Sequence, residues 1–201
     1  MEVTQWQRNR GETTKKASLD DPNFTQTGNI SAFTLFAMIA AEDIHFYSHS
    51  GFDLQAIINS IAINTEQKRF VSGASTITQQ VVRMTLLHPK KTILRKMREV
   101  WGAILLETIL TKAEILRWYL NLAYFGSGIY GIKDASKFYF DTTPERLTVN
   151  QSILLASVLP SPNRLSSGLR KKQLSQEGKK RFHFILKEMH AAGYISSKQW
   201  K

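Results

Sequence analysis

Two carboxylates stand side by side at Glu42 and Asp43, directly after the weakly polar run Ile30 to Ala41 and shortly before Phe46, His49 and Gly51. A carboxylate placed where a buried helix meets a glycine-ended turn is partly desolvated, and desolvation raises its pKa toward the range useful to a general base. On spacing alone the pair fits a helix end in solvent equally well, and His49 fits a structural histidine. A second group, Ser75-Thr76-Ile77-Thr78-Gln79-Gln80, packs five hydrogen-bonding side chains at an expected helix N-terminus. Free N–H groups, hydroxyls and the helix dipole there suit an anionic oxygen, a phosphate above all. The plainer reading is a capping serine followed by polar surface. In the third group, Arg95, Lys96 and Glu99 fall within about one helical turn, with Arg95 and Glu99 at i,i+4 spacing. As a surface pair that spacing contributes only about 0.2–0.5 kcal/mol. The chemical alternative is a cation pair for a phosphate with a second carboxylate beside it, joined by Arg83 from the helix after the Thr/Gln string.

The elements that must carry these groups read as helices almost throughout. Ser31 to Ala41 has the continuous apolar content of a buried helix, and Leu54, Ile57, Ile58 and Ile61 recur at helical spacing behind Asp53 as a cap. Ile77, Val81 and Met84 mark the next helix, and Thr92 caps a long one with the stripe Leu94, Met97, Trp101, Ile104 and Leu105. Thr111 with Glu114, and Thr148 with Gln151, are capping-box patterns. Gly126, Gly128 and Gly131 form a turn-rich break before a short helix around Ala135, and Pro160 and Pro162 end the helix Ile153 to Leu159. Ser175 to Ala191 reads as a last amphipathic helix with Gly193 as its stop. No run alternates with period two over strand length. The fold class is therefore mainly α: an N-terminal arm over 1–28, then one domain over 29–201, with the motif-bearing core in 30–165 and a basic helical segment in 166–201.

At 201 residues, 42% apolar and 21% charged, the chain has the balance of a folded domain. Lys and Arg number 27 against 16 Asp and Glu, a net charge of +11 that calls for an anionic partner such as nucleic acid, a phosphorylated ligand or an anionic membrane surface. The absence of cysteine removes disulfide frameworks and Cys-ligated metals. No segment reaches the roughly 20 apolar residues a spanning helix needs, and Met1 to Asp21 lacks the apolar core of a signal peptide. The central cations Lys68, Arg69, Arg83, Lys90, Lys91, Arg95, Lys96 and Arg98 face a single acid, Glu99. The cations from Arg164 onward read as a solvated face or a membrane-surface contact.

The pieces then assemble. Glu42-Asp43 through Phe46, His49, Gly51 and Phe52, Gly73 to Gln80, and Arg95-Lys96-Met97-Arg98-Glu99 resemble three signature motifs of the peptidoglycan glycosyltransferases, glycosyltransferase family 51. Lys112 through Ile115, Tyr119 and Asn121 resembles the fourth motif, and Gly126-Ser127-Gly128 through Gly131 and Ala135 to Tyr139-Phe140 the fifth. Five motifs in order across roughly residues 30 to 165 are far more specific than any one. The resemblance implies a lysozyme-like, two-lobed helical domain with a central groove that polymerises lipid II into β-1,4-linked glycan strands. Position by position, it implies Glu42 as general base and Glu99 as the second carboxylate, near the diphosphate or its metal. Arg83, Arg95 and Lys96, with Ser75, Thr76, Gln79 and Gln80, would hold the donor diphosphate. Asp43, Phe46, His49, Tyr119, Asn121, Gly126 and Gly128 complete the substrate-binding set. A divalent cation, Mg²⁺ or Mn²⁺, is the family's expected cofactor. Expected partners are lipid II, the growing strand, the membrane surface, and cell-wall synthesis and division proteins, with no nucleic acid. The expected setting is the outer, periplasmic face of the bacterial inner membrane, reached through an anchor preceding this chain. Arg83 stands where the family usually has Lys, Asp141-Thr142 where Gly-Lys is commoner, and Ala74 where a second glycine is usual. Neither Ser-x-x-Lys nor Lys-Thr-Gly of a transpeptidase occurs here, so a monofunctional transferase or an isolated domain is expected.

The residue types fit that chemistry without the resemblance. A sugar alkoxide leaves poorly and needs an acid to protonate it. A lipid diphosphate leaves as an anion, so cations replace that acid. An isolated glutamate with a dense cationic set elsewhere favours transfer from a diphosphate. A muramidase-like hydrolase and a non-catalytic cell-wall scaffold of the same fold stay open as alternatives. A basic nucleic-acid-binding module would line its cations along one recognition helix, which this sequence does not do.

Overall fold

A computed structural model describes residues 3–5, 15–17, 24–66, 74–87, 92–169 and 173–200. Most of the expected 1–28 arm, Gly73, and the cations Lys68, Arg69, Lys90, Lys91, Arg170, Lys171, Lys172 and Lys201 lie outside those residues. Within the arm, β1 (Val3–Gln5) pairs antiparallel with β2 (Lys15–Ala17), Thr4 opposite Lys16, so the arm carries a short ladder that its sequence did not announce.

The rest is mainly helical, as expected. In chain order come α1 (Ala32–Glu42), α2 (Leu54–Glu66), α3 (Ile77–Thr85), α4 (Ile93–Ile109), α5 (Lys112–Leu122), the small hairpin β3 (Tyr124–Gly126) and β4 (Ile129–Tyr130), α6 (Ile132–Phe140), α7 (Val149–Val158), α8 (Pro162–Leu165), α9 (Gln176–Ala191) and α10 (Ser197–Trp200). Helix starts follow local chemistry. Thr76 and Thr92 accept the N–H of Gln79 and Arg95, each at 3.1 Å, and Asp53 accepts that of Ala56 at 2.8 Å. Thr111 with Glu114 and Thr148 with Gln151 close full capping boxes. Gly193 follows α9 at φ +74°, the left-handed stop.

Helix α1 is the central strut. It packs against α7 and α9, burying Thr34, Ala37, Met38, Ile39 and Ala40. A buried Thr34–Ser152 hydroxyl pair at 2.8 Å joins it to α7, and Ile185 and Met189 of α9 reach the same core. Because α1 is apolar on every side, its C-terminal end arrives with Glu42 well inside the molecule, where a polar helix would have carried it to the surface.

Two helices depart from the usual rule. In α4 the buried residues are Glu99 and Ala103, while Leu94, Met97, Trp101 and Leu105 are 55–65% exposed. The apolar stripe therefore faces away from the core, because the opposite face is committed to an ion cluster and to packing on α3. On α2, Leu54, Ile58 and Ile61 are likewise exposed.

The turn between α1 and α2 is held tightly. Gly51 sits at φ +96°, and a Cβ there would meet the Ala103 carbonyl carbon and Ile104 nitrogen of α4 at 2.8 Å. Its carbonyl also accepts the Thr76 hydroxyl at 2.7 Å. Gly51→Ala is expected to cost about 2–5 kcal/mol, from left-handed strain plus a backbone clash that no rotamer relieves. A thermal melt checks this: a fall of roughly 4–20 °C is expected, and an unchanged midpoint would remove Gly51 from the list of fixed points.

Candidate active site

The last residue of α1 carries Glu42 into a cleft of about 940 Å³. The wall is shared by α1, α2, α3, α5, the β3–β4 hairpin and α9. The Glu42 side chain is 14% exposed. Its Oε2 accepts Gln80 Nε2 at 2.9 Å, and its Oε1 lies 3.7 Å from Arg181 Nη2. Burial pushes the Glu42 pKa above the ordinary glutamate value, against the opposing pull of the Gln80 hydrogen bond, Arg181 and Arg83. Tyr119, fully buried beside it, is held well above the phenol range by burial and by the Glu42 charge, so it stays an uncharged wall.

Asp43 has a different task. Its Oδ2 accepts the Ile77 N–H at 2.9 Å at the start of α3, where a negative charge is favoured by the helix dipole. It also takes His49 Nε2 at 3.0 Å, while His49 Nδ1 accepts the Gly51 N–H at 3.2 Å; this pattern assigns the ring proton to Nε2. Beneath the turn, Lys112 donates to the His49 carbonyl at 2.6 Å and to Glu107 at 2.8 Å, and lies 4.6 Å from the centre of the Phe46 ring. Phe46 has no exposed surface and His49 is 7% exposed, so both brace the turn from behind and neither lines the cleft.

Helix α3 presents Thr76, Gln80 and Arg83 to the cleft at i, i+4 and i+7, one face of a helix. Arg83 donates to Gln80 Oε1 at 3.4 Å and lies 3.6 Å from Glu99. Glu99 is fully buried: Arg95 holds Oε2 at 2.6 Å and Lys96 holds Oε1 at 2.8 Å. The Lys96 ammonium also donates to Ser75 Oγ at 2.8 Å and Gln79 Oε1 at 2.9 Å, which uses its three protons. One buried anion thus gathers three cations, and Arg83 and Arg95 turn toward the cleft along with Ser75. Lys96, Gln79 and Glu99 stand behind them and fix their positions.

Asn121, Gly126 and Gly128 lie off the cleft. Asn121 ties down Thr25 through both its N–H (2.7 Å) and its carbonyl (3.0 Å). Gly126, at φ +89°, passes so close to Ser166 and Pro162 that a Cβ has no room. Gly128 donates its N–H to the Tyr124 hydroxyl at 3.3 Å. Sequence reasoning missed Tyr124 and Tyr130, which line the cleft with ring centroids 4.6 Å apart, and it missed Arg181. The tyrosines flank the glycines of the hairpin, a stretch whose sequence reads only as a turn-rich break. Arg181 sits in a basic run with nothing in the sequence to separate it from Lys179 and Lys180.

Glu99 gives each oxygen to a cation and has no exposed surface, and among the described residues no group of three or more His, Cys, Asp or Glu side chains is arranged to hold a metal ion. These residues do not fit a divalent-cation cage, and no chemical step is assigned to one. What they do form is a buried carboxylate, Glu42, joined through Gln80 and Arg83 to a cluster of cations gathered on Glu99.

A desolvated carboxylate beside a cationic cluster on a helical frame is an arrangement suited to group transfer with an anionic leaving group. The transglycosylase family model matches residues 10–190, and the chain belongs to that family. It is similar to the biosynthetic peptidoglycan transglycosylases of Mannheimia succiniciproducens (41% identity, 82% of this chain and 66% of that protein) and Shewanella oneidensis (40%, 85% and 71%). It is also similar to penicillin-binding protein 1A of Rickettsia prowazekii (34% identity, 96% of this chain and 24% of that protein). The chain thus spans about two thirds of the length of the transglycosylases it matches and a quarter of the penicillin-binding protein.

Proposed function

We propose that this chain polymerises lipid II, with Glu42 as general base. Glu42 takes the proton of the acceptor's GlcNAc 4-hydroxyl as that oxygen attacks C1 of the donor MurNAc, giving a β-1,4 bond with inversion. The bond from C1 to the diphosphate breaks, and undecaprenyl diphosphate leaves as an anion. Arg83 and Arg95 receive its charge, and Ser75, whose oxygen accepts Lys96, supplies a hydroxyl at the same wall, while the Thr76 hydroxyl is committed to the Gly51 carbonyl. Lys96, Gln79 and Glu99 hold those cations in place before the charge develops, so little reorganisation is needed during the step.

The observation that carries this reading is the linked pair: a desolvated carboxylate at Glu42 and a cation site built on Glu99, bridged by Gln80 and Arg83. Both Glu99 oxygens are taken by Arg95 and Lys96 and the side chain stands behind the cleft wall, so it is not placed to protonate a leaving alkoxide, which is what hydrolysis of a finished glycan would ask of a second acid. The pH dependence follows. The base works only when ionised, so kcat/KM is full above the Glu42 pKa and falls tenfold per unit below it. Because burial raises that pKa, the acid limb is expected above the ordinary glutamate value. A limb at or below that value would contradict the assignment.

The outward apolar face supports a membrane setting at the periplasmic side of the inner membrane. Helix α2 lines the cleft with Ala56, Asn59 and Ser60 and exposes Leu54, Ile58 and Ile61 on another side, so a polyprenyl tail leaving the cleft meets an apolar surface. Ile93, 84% exposed, and Trp101 present a second apolar surface on α4. Among the described residues no helix is long and apolar enough to cross a membrane; an exposed apolar helix face of this kind suits contact with the membrane interface. Vesicles of anionic phospholipid are expected to shift Trp101 emission to the blue. The double change Ile93→Ser with Trp101→Ser should weaken vesicle binding by tenfold or more, since each large apolar side chain contributes about 1.5–3 kcal/mol on burial. Equal binding by the parent and the double variant would show that another surface meets the lipid.

A further inference from the structure

We propose that Arg181, in helix α9, is a positioning residue that keeps the Glu42 carboxylate ionised and its Oε1 free to take a proton. This rests on the reading of Glu42 as base. Arg181 lines the cleft, and its Nη2 lies 3.7 Å from Glu42 Oε1. The other carboxylate oxygen already accepts Gln80. Arg181 Nε and Nη2 are both buried and have no hydrogen-bond partner. Buried guanidinium donors beside a buried carboxylate would ordinarily close into a paired, two-bond contact. Here the pair is held just apart.

That spacing has a chemical use. A closed ion pair would occupy the lone pairs of Oε1 and make it a poor proton acceptor. Across 3.7 Å in a partly desolvated site the cation still favours the charged form of Glu42, while Oε1 keeps a lone pair for the acceptor hydroxyl. The other groups facing Glu42 do not supply this. Asp43 on the same turn opposes ionisation, Gln80 on α3 and Tyr119 on α5 carry no charge, and Arg83 on α3 is shared with Glu99. Glu188, two turns further along α9 in the cleft wall, is also anionic. Arg181 is thus the cation whose nearest anion is the base itself, and it arrives from a helix that none of the five sequence motifs includes.

The test is a ¹³C NMR titration of the Glu42 carboxyl carbon in the whole chain labelled on glutamate, with Glu42→Gln identifying the resonance. Removing the positive charge disfavours the carboxylate, so in Arg181→Gln and Arg181→Met the midpoint should rise by about one pH unit. Arg181→Lys, which restores the charge, should return to within about 0.3 unit of the parent. The acid limb of polymerisation should move with the midpoint in each case. An unmoved midpoint in a folded Arg181→Gln or Arg181→Met protein overturns the proposal, whatever happens to the rate. If neither neutral variant folds, Arg181→Lys decides: parental midpoint and rate uphold the proposal, and a raised midpoint or a rate lost at every pH overturns it. Full polymerisation by Glu42→Gln rejects the base reading itself. An inactive Glu42→Gln with an unmoved midpoint in Arg181→Gln rejects the role of Arg181 alone.

Discussion

Replacing Glu42 by glutamine is expected to lower the polymerisation rate by roughly 10²–10⁴-fold, the range set by loss of a positioned general base. The amide keeps the shape of the side chain and can still bond Gln80, so the cleft retains its form. It cannot take a proton at neutral pH. Stability should not fall with activity. Burial raises the Glu42 pKa in the folded chain above its unfolded value, so holding the carboxylate charged at neutral pH costs stability, a cost that disappears as pH falls through the folded pKa. Glutamine removes that cost at every pH. A melt of Glu42→Gln at pH 7 should therefore match or exceed that of the parent. Loss of activity with a lowered melt would indicate a structural role, and parental activity would remove Glu42 from the chemistry.

The second large effect belongs to Glu99. Its carboxylate is enclosed by Arg95, Lys96 and Arg83 and has no exposed surface. Glu99→Ala leaves these cations crowded around a cavity with no anion, and removing one partner of a buried ion pair costs about 3–5 kcal/mol. For a chain of this size that lowers the melting midpoint by roughly 6–20 °C. Arg95 and Lys96 are partly exposed and turn toward water to recover some of that cost, so the lower half of the range is expected. Donor binding should weaken as well, because Lys96 then no longer holds Ser75 and Gln79 in register. Thermal denaturation read by circular dichroism checks the first part, and binding of a diphosphate-linked sugar analogue checks the second. A parental melt would mean that the cluster is an ordinary surface network.

How much of this was legible in the sequence depended on how local each feature is. Helix starts at Thr92, Thr111 and Thr148 were readable because a cap bonds a group three residues away, whereas the cap of α3 is Thr76 and not the serine before it. The burial of α1 was readable from its unbroken apolar content. The direction in which α4 faces was not. An apolar stripe at helical spacing looks the same whether it meets a core or lies open, and only the burial of Glu99 on the opposite face reveals which. The same holds within the site. Glu42 and Asp43 are neighbours with the same chemistry in sequence, yet Asp43 is committed to Ile77 and His49 while Glu42 faces the cleft. Arg181 lies well over a hundred residues from Glu42, and no local pattern could join them. Resemblance to five motifs located the cleft, but packing determines which motif residues reach it and which brace it from behind.

The most direct test of the central claim incubates the chain with labelled lipid II in detergent and, separately, with finished peptidoglycan. The account expects polymer from lipid II, digestible by a muramidase to its disaccharide unit, with release of undecaprenyl diphosphate and with finished peptidoglycan left intact. Soluble fragments from finished peptidoglycan, with lipid II untouched, would contradict it and identify the cleft as that of a hydrolase.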